Sequence, residues 1–307
     1  MAIESILVIL DSPLSIAARR NFRGPGLFLC AMWTEDLGTL GYLAPGGNAR
    51  RAVGRFQRHA KRVYRKIASG QCFKETPAFA GVEDGIAGPE TLAEIARWIE
   101  KGFRLPLGYF KMAVIETWGE LRSDMAAAWL ALIPRIAEMG GTISGPYGDT
   151  RRPLMNTIST GASKFSFHIC GRAVDLNQGL GNSVYFPISE GATWRIYCKT
   201  ADQNGSQGEK IEAGAIRYHN FYARKETPIP GGYYLDLTAA IERGELFERI
   251  DAQTGWENDA RRSEWWHFQW VPAKQKTFQD ECELAGIAEA ELRAFGYRDA
   301  DLDHVPG

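Results

Sequence analysis

Apolar residues recur every three or four positions in NARRAVGRFQRHAKRVYRKI, residues 48–67, and predict a helix there. Val53, Phe56, Ala60, Val63 and Ile67 form its inner face, and eight Arg and Lys between Arg50 and Lys66 fill the others. A second helix is predicted over 85–102, GIAGPETLAEIARWIEKG. Pro89 suits a first turn, Glu90 suits the positive end of the helix dipole, and Gly102 suits a stop. Leu92, Ile95, Ala96 and Ile99 make its stripe, and Asp84-Gly85 ahead of it is a turn signal. A third periodic run, 123–141, contains Pro134, which predicts a kink or a split.

Beyond residue 105 the pattern shortens. TISG, RAVDLN, TWRIYCK, GGYYLDL and EWWHFQWV read as short strands, AAIERGELFERI as a helix, and the polar run 199–214 as a surface loop or hairpin tip. Strands and helices in irregular order predict an α+β fold rather than regular βαβ winding. The shift in pattern divides the chain into an N-terminal segment (1–32), a small helical domain (33–104) and a larger domain (105–307). The early apolar run ILVIL has Glu4 before it and Asp11 after it, so it reads as a buried strand rather than an export signal. No run predicts a membrane span.

Composition adds little and excludes some classes. At 45% hydrophobic and 24% charged residues, the chain has ample material for a core. A net charge of −1 argues against a polyanion binder as a whole. The basic helix suits an anionic polymer, but base-reading or aromatic partners for nucleic acid are not evident. Five cysteines without a C-x-x-C pair argue against a disulfide framework and fit a reducing compartment.

Candidate chemistry lies in SKFSFHICGRAVDLN, 163–177. Fully extended, the chain from His168 to Asp175 would span about 23 Å. If both hold one ion the chain must turn between them, and Gly171 can do that. In SEWWHFQW, Glu264 and His267 stand three apart, which on a regular strand puts them on opposite faces. For both to serve one site, Glu264 must sit at a bulge or at the irregular start of the strand. Two imidazoles and a carboxylate are a ligand set for catalytic zinc, with a fourth position open to water. Glu264 is then the candidate proton acceptor. Ser166 either contacts substrate or hydrogen-bonds the turn.

The wording around these residues is more specific than their spacing. SFHICGRAVD and EWWHF resemble the two motifs of the zinc D-Ala-D-Ala carboxypeptidase family, which includes vancomycin-resistance D,D-peptidases and many phage endolysins. The resemblance covers about 105–272. It implies a hedgehog/D,D-peptidase fold with a central antiparallel sheet, zinc held by His168, Asp175 and His267, and Glu264 as catalytic base. It also implies an upstream arginine that steadies the oxyanion. In ISGPYGDTRRPLMN, Arg151 keeps the R-x-P-x-x-N pattern through Pro153 and Asn156, whereas Arg152 keeps the usual distance to the first histidine; we favour Arg151, with Arg152 as a substrate contact. Residues 33–104 resemble a helical peptidoglycan-binding domain through Ala52-Val53, Phe56-Gln57, Asp84-Gly85-Ile86, Gly88 and Thr91-Leu92.

Together the resemblances imply a zinc peptidase that cuts peptidoglycan stem peptides, as a D,D-carboxypeptidase or an endopeptidase. Acting outside the cytoplasmic membrane without an export signal suits a phage endolysin or a delivered effector, and a cytosolic enzyme acting on recycled wall peptides is the third reading. The alternative is a non-catalytic wall-binding protein with a structural zinc site. The stretch between Asp175 and Glu264 forms an added sheet, a lid or padding.

Overall fold

A computed structural model describes residues 25–62, 64–67, 72–74, 79–116, 119–143, 145–154, 164–177, 183–190, 193–220, 225–250, 260–274 and 276–305. ILVIL, Val63 and Asn156 lie outside them. The fold mixes helices with antiparallel sheets, and the chain divides into two compact units between Tyr109 and Phe110. No helix among the described residues is long and apolar enough to cross a membrane.

The first unit holds α1 (Pro25–Thr39), α2 (Ala49–Lys61), β1 (Tyr64–Ile67), β2 (Cys72–Lys74), α3 (Pro89–Glu100) and β3 (Phe103–Arg104). Helix α2 starts where Asn48 accepts a hydrogen bond from Arg51 N, and it buries Val53, Phe56 and Ala60 as predicted. It stops at Lys61, six residues short of the predicted end. Residues 64–67 are instead the middle strand of a sheet ordered β2-β1-β3, so pairing with β3 prevails over an apolar period that runs on by coincidence. Helix α3 is also turned from its predicted face. It buries Ile95 with Trp98, which packs edge-on against Phe56 and Phe103, while Glu94 accepts the Trp98 indole N–H at 2.8 Å.

The residues of the helical-domain motif are bound to one another. Gln57 Oε1 accepts from Gly85 N at 2.9 Å, and Gln57 Nε2 lies 3.0–3.1 Å from Asp84 Oδ1, Ile86 O and Thr91 Oγ1. Asp84 also accepts from Ile86 N, and Gly85 takes the positive φ that the turn needs. Nor does the basic helix only face water. Arg55 is buried, donates to Tyr42 O and lies over the Tyr42 ring.

The second unit begins with the hairpin β4 (Met112–Glu116) and β5 (Gly119–Arg122), then α4 (Ser123–Glu138). Helix α4 is not split by Pro134, which faces solvent, where the carbonyl left without its amide partner can be hydrated. Its inner face, Met125, Ala126, Trp129, Leu132 and Ile136, enters the main core. A short 3-10 turn (Phe167–Cys170) leads into β6 (Ala173–Asp175). The excursion that follows is a sheet: β7 (Tyr185–Glu190), β8 (Thr193–Lys199), β9 (Glu209–Ile211) and β12 (Gly232–Asp236), ordered β7-β8-β12-β9, with a hairpin β10 (Arg217–Asn220) and β11 (Lys225–Pro228). It is no padding, because Trp194, Ile196 and Cys198 of β8 enter the main core. None of the described residues of TISG is in a strand, and AAIERGELFERI divides into α5 (Leu237–Glu242) and β13 (Phe247–Arg249).

The chain then returns through β14 (His267–Trp270), which lies between β13 and β6. Three C-terminal helices, α6 (Phe278–Leu284), α7 (Glu289–Ala294) and α8 (Asp299–Leu302), had no reading in the sequence. Thr277 caps α6 through Asp280 N, a T-x-x-D signal that was available. Beneath the 3-10 turn, Arg122 and Arg172 are wholly buried. Arg122 pairs with Asp124 at 3.0 Å and Glu281 at 2.9 Å, Arg172 pairs with Asp124 and Glu281, and Lys276 reaches Glu281 at 3.2 Å.

Candidate metal centre

Two local features bring distant residues together. Gly171 ends the 3-10 turn with φ 64, in the left-handed region, so the chain reverses between His168 and Asp175. Strands β6 and β14 then pair with His267 directly opposite Asp175. The result is a triangle of ligand atoms. His168 Nε2 lies 3.1 Å from His267 Nδ1 and 3.2 Å from Asp175 Oδ1, and His267 Nδ1 lies 3.0 Å from Asp175 Oδ1. All three residues are buried, Asp175 included, so its face of β6 meets this cluster rather than water.

The neighbours of this cluster fix one of its hydrogens. His168 Nδ1 lies 3.2 Å from the carbonyl of Thr150, an acceptor only, so that nitrogen carries the hydrogen. In the neutral ring Nε2 is then a lone pair that faces the Asp175 carboxylate and His267 Nδ1. A hydrogen on His267 Nδ1, a second proton on His168 or a metal ion can each fill the space between these atoms. Burial pushes the His168 pKa down, but the Asp175 carboxylate, helped by Asp149, outweighs it and the net shift is upward. Burial lowers His267, and His168 beside it adds to that against the opposing pull of Asp175. Burial also opposes charge on Asp175, yet the two imidazoles hold its carboxyl well below the usual range.

These three residues can hold a metal ion. A tetrahedral ion with bonds of about 2.0–2.1 Å needs ligand atoms about 3.3 Å apart. An octahedral ion needs about 3.0 Å, and two histidines with one carboxylate also serve ferrous iron. The edges of 3.0–3.2 Å lie between the two, so the triangle alone does not select the ion.

Glu264 is not on the strand. It stands at the turn before β14, half-buried, with φ 47, and its carbonyl accepts from His267 N at 2.8 Å. That is the irregular start which a site shared with His267 would need, but Glu264 is not among the residues whose ligand atoms the structure brings together. A non-glycine residue in the left-handed region carries strain of about 1–2 kcal/mol.

The other candidates lie as follows. Arg151 is exposed and pairs with Glu120 at 3.2 Å. Arg152 is partly buried, bonds to Asp149, and its charge works to lower the pKa of both imidazoles. Ser166 Oγ accepts from His168 N at 3.3 Å, which caps the 3-10 turn. Asp149 and Thr150 were not singled out in the sequence. Thr150 acts through its backbone, which leaves no side-chain signal, whereas Asp149 and Arg152 form a readable D-x-x-R pair.

No family model, no curated protein and no solved structure matches the chain.

Proposed function

We propose that this protein is a zinc-dependent peptidase that cuts stem-peptide bonds of peptidoglycan, with residues 110–305 forming a catalytic unit of the hedgehog/D,D-peptidase kind. The observation that carries this reading is a buried triad of possible metal ligands, His168, Asp175 and His267, with Glu264 in the left-handed region at the turn three residues ahead of one of them. Zinc, when bound, supplies Lewis acidity for the scissile carbonyl and lowers the pKa of a bound water towards neutrality.

The Glu264 carboxylate accepts a proton from the attacking water and returns it to the leaving amine, so the two half-reactions balance. An arginine compensates the negative oxygen of the tetrahedral state. Between the two candidates we assign that role to Arg152, because its charge already bears on the imidazoles whereas Arg151 is exposed beside Glu120. The Thr150 carbonyl holds the His168 ring in one tautomer. The unit 33–104 keeps the protein on the wall, which raises local substrate concentration without changing the chemistry. Its exposed Val82 and Ile86 flank the Asp84–Gly85 turn and are the surface to test for that contact.

The deciding experiment incubates zinc-loaded protein with purified wall and weighs the released fragments. Loss of one alanine identifies a carboxypeptidase, and separated stem peptides identify an endopeptidase. Glu264→Gln should keep one zinc per chain and lower release by about a hundredfold or more. If wild type and Glu264→Gln bind wall equally and release nothing, the protein is a wall binder with a structural ion. Metal analysis after reconstitution in mixed metals checks the ion, and a preference for iron would overturn the zinc assignment.

A further inference from the structure

The segment 148–152 is tied to two of the three pieces of chain that carry the triad. Gly148 N donates to Asp175 O at 2.8 Å and Asp175 N donates to Asp149 O at 2.7 Å. His168 Nδ1 donates to Thr150 O at 3.2 Å, and Arg152 N donates to His168 O at 3.0 Å. The approach is close, since a Cβ on Gly148 would stand 3.1 Å from Leu176 O and 3.2 Å from Asp175 Cβ. A backbone held this way places its side chains in a fixed relation to the three ligand atoms.

Two of those side chains form a directed pair. Arg152 Nε and Nη2 both donate to Asp149 Oδ2, at 2.9 and 2.7 Å. A guanidinium has five N–H groups in one plane. Among the described residues Arg152 commits two of them, both on one edge, and the Nη1 edge is left whole. Side-chain exposures of 24% and 28% place the pair at the rim of a buried site. An ion pair that exposed adds little to fold stability, so what it fixes is the plane of the guanidinium.

We propose that Asp149 is a positioning residue, which holds the Arg152 guanidinium so that its free edge receives the negative oxygen of a tetrahedral anion bound at the triad. This rests on the hydrolase reading of the site, but it covers any oxyanion of that shape.

The test titrates the zinc-loaded full chain with inorganic phosphate by calorimetry and measures zinc content alongside. Asp149→Asn and Arg152→Ala should each weaken phosphate about tenfold or more with zinc retained. The double variant should bind no more weakly than Arg152→Ala, because Asp149 acts only through the guanidinium. Arg152→Lys should leave nothing for Asp149→Asn to change, since a lysine presents no plane to orient. The proposal is overturned if the two losses multiply, if Asp149→Asn binds phosphate as wild type does, if Asp149→Asn loses its zinc, or if the wild-type zinc protein binds no phosphate. Coupled phosphate binding together with an untouched wall would uphold the positioning role and sink the peptidase reading.

Discussion

The two units each gather polar residues that are far apart in the chain, and the two gatherings differ in what they can still bind. Around Gln57, donors meet acceptors: the amide oxygen takes the Gly85 N–H, and the amide nitrogen faces Asp84, Ile86 and Thr91. Around His168, three ligand atoms converge, with edges of 3.0–3.2 Å to Asp175 and His267. The first arrangement is complete and holds the turn to the helix. The second can also hold an ion. Residues that satisfy one another are architecture, and residues that turn two imidazoles and a carboxylate to one point are a place for a ligand.

The largest expected effect breaks the unbalanced cluster. Asp175→Ala should reduce bound zinc from one per chain to none, an affinity loss beyond the about 10–100-fold typical of outer partners. Metal analysis after dialysis checks this, and retained zinc would place the ion elsewhere. Next comes the buried charge cluster, in which two carboxylates meet three cations. Glu281→Ala leaves Arg122 and Arg172 with Asp124 alone and should cost about 3–5 kcal/mol in denaturant unfolding. A change below 1 kcal/mol would show that the cluster is not what joins α6 to β5.

Smaller is the hydrogen-bonded turn of the first unit. Gln57→Ala leaves Asp84 and Thr91 without that partner and should cost about 1–3 kcal/mol, with zinc content unchanged. A fall in zinc content would deny that the two clusters are separate. The last effect is with pH. Burial opposes charge on Asp124, but Arg122 and Arg172 outweigh it and hold its carboxyl below the usual range. Its folded pKa is depressed, so its contribution is present above the unfolded value of about 3.9 and is lost as pH falls below that. Stability should be flat from neutrality to about pH 5 and decline below it. Asp124→Asn should flatten the decline, and an unchanged acid limb would refute the assignment.

Much of the site was readable because its spacing forced geometry. If His168 and Asp175 share an ion and Glu264 and His267 serve one site, spacing calls for a turn at Gly171 and an irregular start at Glu264, and both are present. The face of α2 also followed from period. What failed were places where long-range pairing decides, as at residues 64–67, or where one large side chain outweighs a stripe, as at Trp98. Thr150 could not be found, because a carbonyl does the work and any residue supplies one.

The rung that sets His267 opposite Asp175 joins two points ninety-two positions apart, and of the chain between them β13 lies in the same sheet while β8 reaches the main core. Only the parts outside such strands can lengthen or shrink at an entropic cost that grows with the logarithm of their length. On the proposed reading, preference for one peptide over another can therefore drift in those outer parts while Asp175 and His267 stay fixed on the strands that carry them.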